Sequence, residues 1–218
     1  MKMKNVLAAL ALGLGLQAGG AAAFPFPIES VITGADMAGM EVTVTFEDLS
    51  TDTAVWETTS TDGSVAFGEG FAGAAAGSSW SLYQQGFTFG NNVGGTPLGL
   101  WSFTNFSASP TIMGFTVNAI TGFTLFDIVE DVEVTPGSQL GRAFLTELDD
   151  SLYTVSYGNQ LADDLFGSLT VGFTEGLEAG SVVQFFIDTD GFVPSPGTLA
   201  LLATGLIFAG SRRKHGRA

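Results

Sequence analysis

Apolar and polar residues alternate one by one along much of this chain. In EVTVTFE, Val42, Val44 and Phe46 fall on one side and Thr43, Thr45 and Glu47 on the other, the period-two pattern of a strand with one buried face. The alternation recurs around Trp56 in TAVWET, Trp80 and Leu82 in SWSLY, Phe87 and Phe89 in GFTFG, and Trp101 and Phe103 in LWSFTNF. It continues in GFTVNAI, FTLFDIV, SLYTVSY, GSLTVGF and SVVQFFID. Turn-forming clusters such as TSTDGS, FGNNVGGTP, VTPGSQLG and FTEGLEAGS separate these runs. Between Phe24 and Phe192 no segment keeps a capped 3.6-residue apolar period, and NQLADDLF suffices for one short helical turn. About ten short strands between glycine-rich turns predict an all-β fold, an antiparallel β-sandwich of jelly-roll-like kind. The stretch FAGAAAGSS, from Phe71 to Ser79, reads as a loop within it.

The pattern changes at both ends. The start, MKMKNVLAALALGLGLQAGGAAAFPFP, sets Lys2 and Lys4 before an apolar stretch from Val6 to Leu16 and small residues up to Ala23. This is the layout of a secretory signal peptide spanning residues 1–23, with cleavage after Ala23 and a mature chain from Phe24. The apolar stretch is too short for an anchor, since crossing a bilayer takes about 20 residues. At the other end, Gly197 to Gly210 is uncharged and mostly apolar, about 21 Å long as a helix. Counting from Val193 to Ser211 gives about 28 Å, close to the roughly 30 Å of a hydrocarbon core. Arg212, Arg213 and Lys214 follow at once, the stop-transfer order that keeps a C-terminus in the cytoplasm. A single transmembrane helix is therefore expected in residues 193–218.

Charge sharpens the division. Of seven basic residues, only Arg142 lies between Phe24 and Val193, whereas all 22 carboxylates do. Residues 24–192 thus carry a net charge of −21. Such a surface repels nucleic acid and anionic headgroups, which are bound chiefly through Lys and Arg. Its natural small partners are cations, and self-repulsion keeps it soluble.

The inventory of reactive groups is narrow. The only histidine, His215, lies in the basic tail and there is no cysteine. Ser-His and Cys-His nucleophiles and histidine-based zinc sites are therefore unavailable to residues 24–192. No glycine-rich phosphate loop precedes a helix. One constellation has metal character: in FIDTDGF, Asp188 and Asp190 alternate at the end of a strand and Gly191 opens a turn. Alternate aspartates can set two hard oxygen ligands on one side of a loop, as Ca²⁺ prefers, with Asp163 and Asp164 as further ligands. The competing reading is a solvated DTDG turn. Glu130, Asp131 and Glu133 read as an exposed acidic loop. Trp56, Trp80 and Trp101 either pack in the core or stack on sugar rings, and their alternating context favours the core.

A V-P-x-P-G start, a short hydrophobic helix and a terminal basic cluster resemble the PEP-CTERM sorting signal of Gram-negative bacteria, a tail also catalogued as ice-binding protein C-terminal. The matching positions are Val193, Pro194, Pro196 and Gly197, the apolar run Thr198 to Gly210, and Arg212, Arg213 and Lys214. Ser195 stands where the name motif has Glu. The resemblance covers about 25 residues. It implies export, a transient stay in the inner membrane, tail removal by an exosortase, and delivery to the cell surface or extracellular matrix. Such substrates are often associated with exopolysaccharide and biofilm. The sequence shows no long regular Thr-x-Thr array, so the catalogue name does not imply ice binding here.

Two classes of function follow. One is a non-enzymatic surface or matrix protein, exported by the Sec machinery and sorted through its tail. The other is a Ca²⁺-dependent carbohydrate-binding or glycan-hydrolysing module.

Overall fold

The alternating runs become strands because each buries one row of side chains against a second sheet. The computed structural model of the chain describes residues 27–29, 32–60, 71–76, 79–88, 99–106, 111–130, 134–135, 138 and 141–192. Among these, the first half holds β1 (Ile28–Glu29), β2 (Glu41–Phe46), β3 (Thr51–Val55), β4 (Glu57–Ser60), β5 (Phe71–Ala76), β6 (Trp80–Gln85) and β7 (Leu100–Asn105). The second half holds β8 (Ile112–Asn118), β9 (Thr124–Asp127), β10 (Leu145–Thr146), β11 (Tyr153–Gln160), β12 (Leu165–Leu177), β13 (Val182–Phe186) and β14 (Asp188–Phe192). Two short 3-10 turns, Gly34–Met37 and Ile120–Gly122, are the only helical elements among the described residues.

All pairings are antiparallel and form two sheets. The eight-stranded sheet runs β1-β14-β9-β12-β8-β2-β3, with β11 also paired to β12. The six-stranded sheet runs β10-β13-β7-β6-β5-β4. The chain twice passes from one sheet to the other across a single residue. Trp56 separates β3 from β4, and Ile187 separates β13 from β14; both are buried in the core. At the first crossing, the Trp56 indole N–H donates to the Gly34 carbonyl at 2.6 Å.

The core lies between the sheets. Val42, Val44, Trp80, Leu82, Trp101, Phe103, Phe115, Val117, Leu169, Val171, Val183 and Phe185 belong to one buried cluster. Phe103 of β7 stacks on Phe115 of β8 with centroids 4.5 Å apart, and Trp101 stacks on Phe185 at 5.8 Å. All three tryptophans are at most 1% exposed, so the core reading of them holds and none is free to stack on a sugar.

Three local expectations fail. GFTFG forms no strand over its described residues 86–88: Phe87 makes one isolated bridge to Thr33 and is exposed, while Thr88 is buried. FAGAAAGSS is not a loop through its first six residues: they form β5, paired with β4 on one side and β6 on the other. Two backbone ladders override the weak strand preference of Ala and Gly. NQLADDLF makes no helical turn. Asn159 and Gln160 end β11, Leu165 begins β12, and the Leu161 N–H donates to the Leu165 carbonyl at 2.9 Å, closing a hairpin.

The outer face of the eight-stranded sheet brings hydroxyls into register from distant segments. Thr53, Thr43, Thr116, Thr170 and Ser156 are consecutive partners across β3, β2, β8, β12 and β11. Thr43 and Thr53 hydroxyls lie 2.9 Å apart, and those of Thr116 and Thr170 lie 3.0 Å apart. The neighbouring row is Thr51, Thr45, Gly114, Gly172 and Thr154. A hydroxyl array that the linear sequence lacks is thus assembled across strands.

The inter-sheet aromatic contacts set the expected response to mutation. Phe103 is fully buried and also faces Phe173 and Trp80 at 6.2 Å. Phe103→Ala removes that ring from a close-packed site and is expected to cost about 3–5 kcal/mol. A urea unfolding midpoint unchanged from wild type would contradict this packing.

Candidate metal centre

Asp127 ends β9 and Asp188 begins β14, and the two face each other in register across the antiparallel ladder. Asp190 lies two residues further on, so the pleat returns its side chain to the same face. Leu125, the partner of Asp190, and Leu165, the other partner of Asp127, share that face. Both leucines are buried yet lie outside the inter-sheet core. This end of the sheet is therefore covered on both sides, and the second cover is the segment between β9 and β10.

That segment is tied down by the carboxylates and the backbone around them. The Ser138 Oγ lies 2.5 Å from Asp127 Oδ2 and 2.5 Å from Asp190 Oδ2. Thr135 donates to Asp164 twice, from its hydroxyl and from its backbone N–H at 3.2 Å. The Gly141 N–H donates to the Val129 carbonyl, the Arg142 N–H to the Asp127 carbonyl, and the Asp188 N–H to the Arg142 carbonyl. Gly141 lies hard against Asp127, and a Cβ there would overlap the carboxylate. Position 141 therefore admits no side chain while Asp127 keeps this place.

The electrostatics are unfavourable for three free carboxylates. Each of Asp127, Asp188 and Asp190 offers an oxygen within 4.8 Å of the other two, and none is more than 1% exposed. Loss of water, then the charges of Asp190 and Asp127, push Asp188 from 3.8 up to about 8. Burial raises Asp190 to about 7, opposed by the hydrogen bond from Ser138 and reinforced by Asp127 and Asp164. Burial also raises Asp127, against the hydrogen bonds from Ser138 and the Val129 N–H. One Ser138 hydroxyl has a single hydrogen and cannot donate to two ionised carboxylates at once. The cluster is complete only with a proton or a cation among these oxygens.

Sequence reasoning located part of this centre. Asp188 and Asp190 come together as expected, but in a buried strand: the solvated DTDG turn does not form, because Gly191 continues β14 opposite Thr124. Asp164 is buried beside the cluster, holding Thr135. Asp163 is exposed and contributes only its backbone carbonyl, which accepts from Gln160 Nε2 at 3.2 Å; the turn that buries Asp164 leaves Asp163 on the outside. Asp127 was missed. Its signal was an aspartate inside the apolar string FTLFDIV, where a strand buried on both faces has no room for a solvated acid. Glu130 is exposed, as expected, while Asp131 and Glu133 lie outside the described residues.

Val193, Pro194, Pro196, Gly197, Arg212, Arg213 and Lys214 also lie outside the described residues, as do the signal-peptide positions 1–23. Among the described residues no helix is long and apolar enough to cross a membrane. Comparison with protein-family models, curated proteins and solved structures finds no match to this chain.

A carboxyl whose folded pKa exceeds its unfolded value stabilises the fold below the unfolded pKa, and that stability is lost as pH rises through the folded pKa. With a chelator present, the melting temperature should therefore fall between pH 6 and 8, where exposed carboxylates are already ionised. Asp188→Asn combined with Asp190→Asn should flatten that slope. An equal slope in wild type and double variant would show that the cluster does not govern it.

Proposed function

We propose that this chain is an exported, non-enzymatic cell-surface or extracellular-matrix protein. In this reading residues 1–23 are a signal peptide read by the Sec machinery. Residues 24–192 are an acidic β-sandwich of jelly-roll-like kind, and residues 193–218 are a PEP-CTERM sorting signal. The signal comprises the proline motif, a transmembrane helix and a basic tail, and is removed by an exosortase. The observation that carries the reading is the segregation of charge: six of seven basic residues lie in the two terminal segments, and every carboxylate lies between them. Positive charge at those places serves membrane orientation and processing, and its removal leaves a product with Arg142 as its one basic side chain against 22 carboxylates. The fold suits that role, since Glu41, Glu47, Asp48, Glu57, Asp149, Asp150 and Glu178 are exposed. Like-charged copies repel one another at high surface density.

Intact mass of the protein from exosortase-positive cells tests this. The expected product begins at Phe24 and ends between Pro194 and Gly197, whereas exosortase-deficient cells keep the tail. A mature mass that retains Arg217 and Ala218 in positive cells sinks the sorting proposal.

One observation favours a second reading, a carbohydrate-binding module for exopolysaccharide that uses Ca²⁺. The hydroxyl rows on β3, β2, β8, β12 and β11 make a face that is nearly uncharged on a strongly acidic chain. Such a face can trade hydrogen bonds with polysaccharide hydroxyls without burying charge. Retention on insoluble polysaccharide should drop at least tenfold when Thr43→Glu and Thr116→Glu are combined. Absence of wild-type retention in both Ca²⁺ and chelator refutes the module.

A further inference from the structure

We propose that Asp127, Asp188 and Asp190 bind one Ca²⁺ ion, and that the ion fastens the segment carrying Thr135, Ser138 and Gly141 to the eight-stranded sheet. The proposal is independent of how the tail is processed.

The topology supplies the ligands. The single-residue crossing at Ile187 delivers Asp188 onto β14 directly opposite Asp127, and the pleat adds Asp190 on the same face. Ca²⁺ takes oxygen ligands at about 2.3–2.6 Å, so oxygens sharing one ion lie about 3–5 Å apart. The three carboxylates satisfy that spacing, with oxygens within 4.8 Å of one another.

A second observation points to the ion. Asp190 is fully buried and its Oδ1 accepts no hydrogen bond from any described group. A buried acceptor without a donor calls for a missing partner, and a cation is the partner that brings no hydrogen. The fit at Gly141 fixes the Asp127 carboxylate: the backbone approaches it too closely for any side chain, the Val129 N–H donates to Oδ1 at 3.3 Å, and Oδ2 meets Ser138. Ser138, already in contact with Asp127 and Asp190, adds a hydroxyl oxygen from the covering segment. Its contact links ion binding to the position of that segment.

The donor set selects the ion. Only hard oxygens are present, and the chain's single histidine lies far along the sequence at position 215. Zn²⁺ favours nitrogen and sulfur donors. Mg²⁺ gives up its water reluctantly and demands a near-ideal octahedron, which a buried site beside Leu125 and Leu165 does not favour. Ca²⁺ accepts irregular carboxylate cages.

Full-length protein, stripped with EGTA and returned to metal-free buffer at pH 8, is titrated with CaCl₂ and separately with MgCl₂ by calorimetry. The expected result is one Ca²⁺ per chain and at least tenfold weaker Mg²⁺ binding. Asp190→Asn should weaken Ca²⁺ binding at least tenfold, while exposed Asp48→Asn and Asp149→Asn leave it unchanged. Arg142 is the only tryptic site between Phe24 and Val193, and it adjoins Gly141. Ca²⁺ should therefore slow trypsin cleavage after Arg142 at least tenfold, with protease activity matched in both buffers on a peptide. This readout needs no variant and stands even if Asp190→Asn fails to fold. Absence of saturable one-to-one Ca²⁺ binding by the wild type overturns the proposal, as does unchanged affinity in a folded Asp190→Asn. A cleavage rate indifferent to Ca²⁺ overturns the fastening role.

Discussion

Close packing of aromatic rings between the two sheets is the interaction on which the rest of this structure depends. Phe103, Phe115, Phe173, Trp101 and Phe185 interleave at centroid separations of 4.5 to 6.2 Å. Each large apolar side chain contributes roughly 1.5–3 kcal/mol on burial. Without cysteines to form disulfides, this contact does most of the work of holding the sheets together. The crossings at Trp56 and Ile187 follow from it, because a chain passing between sheets in one residue must place that residue in the core.

The carboxylate cluster lies where this logic is locally broken. Burying an ionised carboxylate without a partner costs several kcal/mol, and three share one face at the end of the eight-stranded sheet. The cluster adjoins the core directly, since Phe126 and Ile187, the neighbours of Asp127 and Asp188, belong to that core, and the segment above the cluster is organised around its carboxylates. Ser138 and Thr135 are buried because they serve Asp127, Asp190 and Asp164. Where local rules of burial fail while the surrounding structure is consistent, a functional or compensating role is the expected cause.

Much of the fold was legible because a strand with one buried face writes its period into the sequence. Val42, Val44 and Phe46 point inward as the alternation requires, and Trp80 and Trp101 lie in the core for the same reason. The illegible elements share a different physics. Ala72–Ala76 has small side chains with no strong preference of its own, and only the ladders on either side make it a strand. Asp188 and Asp190 carry the composition of a turn, yet pairing with β9 draws them into a sheet that is covered on both faces.

By itself the sequence determined the all-β class, the inward rows of the main strands and the concentration of negative charge between Phe24 and Val193, since these depend on period and composition alone. Only the tertiary structure decided that Asp127 meets Asp188 and Asp190, and that Thr53, Thr43, Thr116, Thr170 and Ser156 from five strands form one row. Both arise from register between segments far apart in the chain. Register is fixed by the packing of whole faces, and no local run of residues encodes it.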